Sequence, residues 1–291
     1  MRVLVVGGTG FLGSYVSKML IEQHRDVDLL CRGKTSHTVS GTKVVYHLDR
    51  RCSDAVCKCF QGSHYDVVVD ICAYSGDDVR ILLDCIDTPR YVLCSTCEVY
   101  DFLDGQPINS TSHPIVDYGK ARKYVCGKID AEREVIASGK SFSIIRPSYI
   151  YGAGDSIHRE DRIFFALLHG NPIKVKDLDI SMNVIHVSDL AKIFVHQTIT
   201  NENTIINASN PDRISYRRYL KACERIAGKE VVLISPMEDE GTSVAFPYLD
   251  KTIFIQPYPA EENHVEEMVR FEEGLQECFD RYKEQQCSNQ H

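Results

Sequence analysis

The chain has no apolar run approaching the ~20 residues that cross a bilayer, no excess of basic charge and no internal repeat. The first absence leaves no candidate for a membrane-spanning helix. Lys and Arg number 33 against 41 Asp and Glu, giving a formal charge of −8. The cations are spread along the chain, so neither the basic stripe of a nucleic-acid binder nor a polybasic membrane patch is present. A strand pattern begins at once, so no segment reads as a signal peptide. The twelve cysteines are scattered through apolar patterns, whereas a secreted disulfide scaffold is short and concentrates them. Cys72, Cys94 and Cys223 read as small buried hydrophobes. Cys94-Ser95-Thr96-Cys97 lacks a second ligand pair nearby, so no metal or redox site is expected. What remains is a cytoplasmic protein acting on a small molecule, with no nucleic-acid and no membrane partner expected.

Against these absences, the first thirteen residues are rich in information. Val3–Val6 is a buried-strand run that ends directly in Gly7-x-x-Gly10-x-x-Gly13, and a helix-patterned segment follows from Phe11 to Gln23. Gly7 allows a tight turn, Gly10 a close approach of backbone N–H groups to a pyrophosphate, and Gly13 close packing of helix on strand. The helix start, Phe11 and Leu12 included, offers N–H donors and a partial positive charge to an anion. Gly7, Gly10, Phe11, Leu12 and Gly13 are therefore expected to hold a dinucleotide.

Strand and helix patterns then alternate. Strand-like runs are Val27–Leu30, Lys43–Leu48, Asp66–Ile71, Arg90–Cys94 and Ser141–Arg146, and the main helix-like runs are Asp77–Ile86 and Tyr118–Ala137. Continuous β-branched runs such as Val67-Val68-Val69 suit strands buried on both faces. The expected fold class is α/β, a doubly wound parallel Rossmann sheet with a smaller C-terminal substrate lobe. Residues 1–150 form the nucleotide domain and 151–291 mainly the lobe, with 183–208 returning to the nucleotide domain. Met237–Glu262 is rich in turn residues, and a charged amphipathic helix, Val265–Gln285, closes the chain.

The second strand ends at Cys31, followed by Arg32-Gly33-Lys34, where an NAD-preferring site carries an acid for the ribose 2′-OH. An arginine there favours a 2′-phosphate, so NADP is the expected cofactor, with NAD the alternative. Asp49, after the third strand, is placed to bond an adenine amino group. Ala73, after the fourth, is expected near the ribose and pyrophosphate.

Further on come Ser95-Thr96-Cys97-Glu98-Val99-Tyr100, then Tyr124-Val-Cys-Gly-Lys128 with Glu132, then Arg146-Pro147-Ser148-Tyr-Ile-Tyr151-Gly152-Ala-Gly154-Asp155, then Val184-Ile-His-Val-Ser-Asp189-Leu-Ala191. In order and spacing these motifs resemble the extended or atypical short-chain dehydrogenase/reductase superfamily, which contains the NAD(P)-dependent epimerases and dehydratases of sugar nucleotides. The resemblance covers roughly residues 1 to 230. It implies a catalytic set of Thr96, Tyr124 and Lys128, with Glu98 as a base beside a keto group. It also implies a homodimer.

Elementary chemistry agrees with that set. Tyr124 and Lys128 lie four apart, on one helix face. A tyrosine with a pKa near 10 has to be partly ionised to act as a base at neutral pH, and a neighbouring ammonium and the cationic oxidised nicotinamide favour the phenolate. Thr96 would bond the substrate oxygen, Tyr124 would move the proton, and Lys128 would also hold the nicotinamide ribose. Tyr118 is a rival, but carries Arg122 at the fourth place. Cys97 stands where dehydratases of the family commonly have an aspartic acid, and Ser148 where many members have an asparagine touching a diphosphate. His158, Arg159 and Arg162 are candidates to clamp a substrate phosphate. The expected function is an epimerase, dehydratase or reductase acting on a nucleotide sugar. The alternatives are an NADPH-dependent ketoreductase on a small carbonyl compound, and a non-catalytic nucleotide-sensing or RNA-associated member of the fold.

Overall fold

In the computed structural model, which describes residues 1–33, 39–102, 106–111, 115–175, 177–234, 252–259 and 267–288, the run Val3–Val6 is buried inside a central sheet. It belongs to β1 (Arg2–Val6), followed by α1 (Phe11–Glu22), β2 (Asp26–Cys31), β3 (Val44–His47), α2 (Ser53–Phe60), β4 (Val67–Asp70), α3 (Gly76–Cys85) and β5 (Arg90–Cys94). The short β6 (Pro107–Ile108) precedes α4 (Lys123–Ala137), β7 (Ser141–Pro147) and β8 (Tyr149–Tyr151). Then come α5 (Arg159–His169), β9 (Ile173–Lys174), β10 (Ser181–His186), α6 (Val187–Gln197), β11 (Thr204–Ala208), β12 (Arg213–Ser215) and α7 (Tyr216–Ala227). The last elements are β13 (Leu233–Ile234), β14 (Phe254–Ile255) and α8 (Phe271–Ser288).

Seven strands form one sheet in the order β3-β2-β1-β4-β5-β7-β11, every neighbouring pair parallel. Alternate residues of one strand serve opposite faces. Val3 and Val5 pack with Leu12 and Val16 of α1 and Leu190 and Phe194 of α6. Leu4 and Val6 pack with Val56, Phe60 and Val79 of α2 and α3 and with Ala131 of α4. Both faces are covered, which is why the strands read as unbroken apolar runs; each aliphatic side chain so buried stabilises the fold by roughly 1.5–3 kcal/mol. The strand order reverses between β1 and β4, and there a crevice opens at the carboxyl ends of the strands.

A three-stranded sheet, β12-β10-β8, and the helices α5, α7 and α8 form the lobe, around Phe164, Tyr219, Phe271 and Phe279. Helix α6 packs on α1, and β11 is the edge strand beside β7 in the seven-stranded sheet. Strand β10 stays with the lobe, pairing with β8 and β12. Lys34 and most of Met237–Glu262 lie outside the described residues. No helix among the described residues is long and apolar enough to cross a membrane.

Three local readings are corrected. Helix α4 starts at Lys123, not Tyr118, because Arg122 is extended (φ −64°, ψ 148°) and Asp117 Oδ1 accepts from the Gly119 N–H, closing Tyr118–Ala121 into a turn. Val265 lies outside the described residues, and helix α8 starts at Phe271, after the non-helical residues 267–270. The scattered cysteines include one bridge, Cys57–Cys85, which ties α2 to the end of α3; their Cα atoms are 4.4 Å apart.

Candidate active site

Between β1 and α1 the chain makes the turn that the glycines allow. Gly7 has φ +83°, outside the range of ordinary L residues. A Cβ on Gly13 would lie 2.1 Å from the Gly7 carbonyl oxygen, so only glycine lets α1 start this close to β1. Gly10 caps the helix with no side chain of its own, leaving its first N–H groups directed at the crevice. Gly7, Gly10, Phe11 and Leu12 line a cleft of about 620 Å³. A bare N-terminus framed by glycine is the chemistry a pyrophosphate requires, so these residues fit the dinucleotide.

The ends of β2, β3 and β4 form one wall. Arg32 is exposed and lines the cleft beside Asp49 and Arg51. Ala73 is fully buried in the core behind that wall, and its neighbours Cys72 and Tyr74 reach the cleft instead. Under the wall, Arg50 binds Asp70 through two 2.6 Å contacts, and Tyr91 donates to the same carboxylate at 2.5 Å. Burial works to raise Asp70, yet the Arg50 guanidinium, the Tyr91 hydroxyl and the Cys72 N–H hold it below the usual carboxylate range. Breaking such a buried pair from one side costs about 3–5 kcal/mol. Sequence reasoning missed it; the signal was an aspartate ending an otherwise apolar buried strand.

The opposite wall is the reactive end. Thr96 follows β5, is buried, and caps a single 3-10 turn by accepting from the Glu98 N–H at 3.2 Å. Tyr124 and Lys128, one turn apart on α4, line the same cleft as Thr96 and Glu98. Lys128 is 2% exposed, donates to the Cys94 carbonyl at 2.7 Å and lies 5.9 Å from the centre of the Tyr124 ring. The ammonium was expected to lower the phenol. Tyr124 is 39% exposed; partial desolvation, with Cys94 and Glu98, raises its phenol, and the neighbouring Thr96 hydroxyl works the other way. Tyr118, the rival, donates to Asp130 at 2.7 Å and does not line the cleft.

Two features of this wall were not anticipated. The ring of Tyr74 stands 6.2 Å from that of Tyr124, and Lys128 Nζ lies 5.1 Å from its centre. Gly127 makes this approach possible, since a Cβ there would lie 2.0 Å from the Tyr74 carbonyl oxygen. Glu98 is ion-paired with Arg122, the very residue that displaces lysine from the Tyr118 pattern. The Cys97 thiol points inward, donating to the Arg146 carbonyl at 3.0 Å, and burial pushes it far up. Cys94 and Cys97 are both free thiols, and no group of three metal-ligand side chains occurs among the described residues.

The lobe supplies the roof. Ser148 lines the cleft, its hydroxyl buried without a hydrogen-bond partner among the described residues. Behind it Arg146 forks onto Glu132, 2.8 and 2.5 Å, and donates to Tyr100, which donates to Asn207 at 2.5 Å. The three basic candidates do not converge. Arg159 lines the cleft, paired with Asp155 at 3.1 Å; His158 faces a second cleft, bound to Asp161; Arg162 is exposed and lines neither.

Comparison with known proteins places this geometry. The sequence profile of the NAD dependent epimerase/dehydratase family matches residues 3–84 and 79–208. The chloroplast stem-loop binding protein of 41 kDa b from Arabidopsis thaliana is 30% identical over 275 residues, covering 87% of this chain and 71% of that protein. The UDP-glucose 4-epimerase of Thermus thermophilus, solved with NAD, superposes with a TM-score of 0.78 at 18% identity over 97% of this chain and 99% of that one. The Bordetella bronchiseptica enzyme WbmH, solved with NAD+, gives 0.78 at 16% identity over 97% and 98%. At such identities the two structures establish a shared fold.

Proposed function

The chain belongs to the NAD dependent epimerase/dehydratase family, and we propose on that premise that it uses a bound dinucleotide to oxidise and reduce a carbinol carbon of a nucleotide-activated sugar. The observation that carries the reading is the meeting of Thr96, Tyr124 and Lys128 with the glycine turn in one cleft. The dinucleotide, when bound, accepts and returns a hydride and, oxidised, brings a positive charge. Tyr124 moves the carbinol proton, Thr96 holds the substrate oxygen, and Lys128 holds the ribose. The protein's own groups favour the protonated phenol of Tyr124, and that charge would favour the phenolate. Ser148, whose buried hydroxyl has no partner among the described residues, would face the substrate diphosphate.

Epimerisation or reduction fits better than elimination. Elimination needs an acid at Cys97, whose thiol is buried and turned away, and a free base at Glu98, which Arg122 holds. A homodimer belongs to the proposal: α3 and α4 pack side by side and leave Ile136 exposed on α4.

Arg32 and Arg51 line the cleft at the second- and third-strand ends without a matching acid at Cys31, which supports NADP over NAD. Fluorescence titration of NADPH and NADH into wild type and Arg32→Ala tests this. Tighter NADPH binding, lost by roughly tenfold or more in the variant, is the expected outcome. Indifference to Arg32 removes the 2′-phosphate reading, and failure of both nucleotides to bind removes the enzyme reading.

A second reading, a stem-loop RNA binder without catalysis, is favoured by the name of the Arabidopsis relative. The charge of −8 weighs against it. Retention of an RNA hairpin that weakens steeply with salt is the result that supports it.

A further inference from the structure

Outside the cleft already described, a second cleft of about 900 Å³ opens between α1 and the lobe. It shares Thr9, Gly10, Phe11, Asp155 and Ser156 with the first cleft, but contains none of Thr96, Tyr124 and Lys128. One wall is the outer face of α1, with Tyr15, Met19 and Ile21; the other is α8, with Cys278, Arg281 and Gln285. Tyr15 ties α1 to the loop after β8 by donating to the Ala153 carbonyl at 3.1 Å. Helix α8 is held in place by packing on α5 and α7.

The lining carries four acids, Glu22, Asp155, Glu160 and Asp161, against Lys18, Arg281 and His158. Each acid has a partner: Glu22 pairs with Lys18 at 3.8 Å, Asp155 with Arg159 at 3.1 Å and Asp161 with His158 at 2.7 Å, while the buried Glu160 accepts from Tyr149 at 3.1 Å. Among the described residues Arg281 has no carboxylate within ion-pair distance, and its Nε is buried without a hydrogen-bond partner. A Cβ on Gly154 would lie 3.6 Å from its Cζ, so the loop presents bare backbone to the guanidinium face. An unanswered guanidinium between apolar walls selects a ligand with one anionic head and an apolar body.

We propose that the cleft between α1 and α8 binds an amphipathic monoanion, its head on Arg281 and its apolar body along Tyr15, Met19 and Ile21. The site is separate from the reaction, and it borders the dinucleotide through Thr9, Gly10 and Phe11. Its occupancy therefore shifts nucleotide affinity, and by linkage the nucleotide shifts its affinity by the same factor.

Calorimetric titration of the full chain with decanoate and with decyl phosphate, without nucleotide, tests the site independently of the dinucleotide reading. Saturable binding of one of them is expected, the stronger identifying carboxylate or phosphate as the head. Butyrate should bind at least tenfold more weakly because it lacks most of the apolar body. Arg281→Gln should lose about tenfold or more and Arg281→Lys less, with melting curves confirming that both fold. Met19→Asp, on the facing wall, should also weaken binding. Absence of binding to wild type overturns the proposal, as does equal affinity in Arg281→Gln. Weaker NADH binding in Arg281→Gln with decanoate binding unchanged assigns the guanidinium to the nucleotide and also overturns it.

Discussion

Tyr124 is set between opposing pulls: burial raises its phenol, the Thr96 hydrogen bond lowers it, and the Lys128 ammonium is turned to the Cys94 carbonyl. If it moves the proton, Tyr124→Phe removes the group and little else. Turnover of a UDP-hexose should fall by roughly 10²–10⁴-fold, while NADPH affinity by fluorescence titration stays within about twofold, since the proposed nucleotide contacts are centred on the glycine turn. Tyr118→Phe, outside the cleft, should leave turnover unchanged. Wild-type-like activity in Tyr124→Phe removes the mechanism. At this scale the spacing of Tyr124 and Lys128 was legible because a helix brings residues four apart onto one face. The Glu98–Arg122 pair was not, because it joins a strand-end turn to a helix start 24 residues away.

Among the elements, the long strands and helices were readable from periodicity, while α2 was not. Its eight residues carry only two buried apolar side chains, Val56 and Phe60, too few to stand out. Yet α2 follows directly from Asp49–Arg51 of the cleft wall, and Cys57–Cys85 fastens it to α3 across 28 residues. Closing a loop of that length stabilises the fold by about 3 kcal/mol through the unfolded chain. Cys57→Ser, or reductant added to wild type, should lower urea-unfolding stability by about that amount and loosen the cleft wall at Asp49–Arg51. Identical melts with and without reductant would show that the bridge does not form in solution. Two cysteines 28 apart carry no pairing signal; the packing of α2 on α3 brings them together.

For the whole molecule, two buried groups link stability to pH with opposite signs. Glu160 lies in the lobe, and burial raises it from 4.5 to about 7. The folded protein then holds a proton that the unfolded chain has released, so its contribution falls as pH rises through that window. His186 joins β10 to α6 beside Tyr151, Ser188 and Glu277, and burial lowers it from 6.5 to about 4. There the unfolded chain holds the extra proton, so its contribution grows as pH rises over nearly the same range. The two contributions oppose each other in wild type. Glu160→Gln, which keeps an acceptor for Tyr149, should uncover a rise in stability between about pH 4 and 6.5, of at most about 3 kcal/mol by urea unfolding. His186→Gln should uncover the opposite slope. Parallel profiles for all three proteins would show that neither group is shifted.

The sequence by itself determined the doubly wound sheet, the glycine turn and the helix face shared by Tyr124 and Lys128, because each depends on residues close together in the chain. Only the tertiary structure decided which side chains meet across distant strand ends. Arg50 found Asp70, Cys57 found Cys85, Tyr74 came to stand over Lys128, and Arg281 on the last helix came to face the first. Those meetings follow from the register of parallel strands and the packing of helices on their two faces, and no local pattern of residue types encodes either.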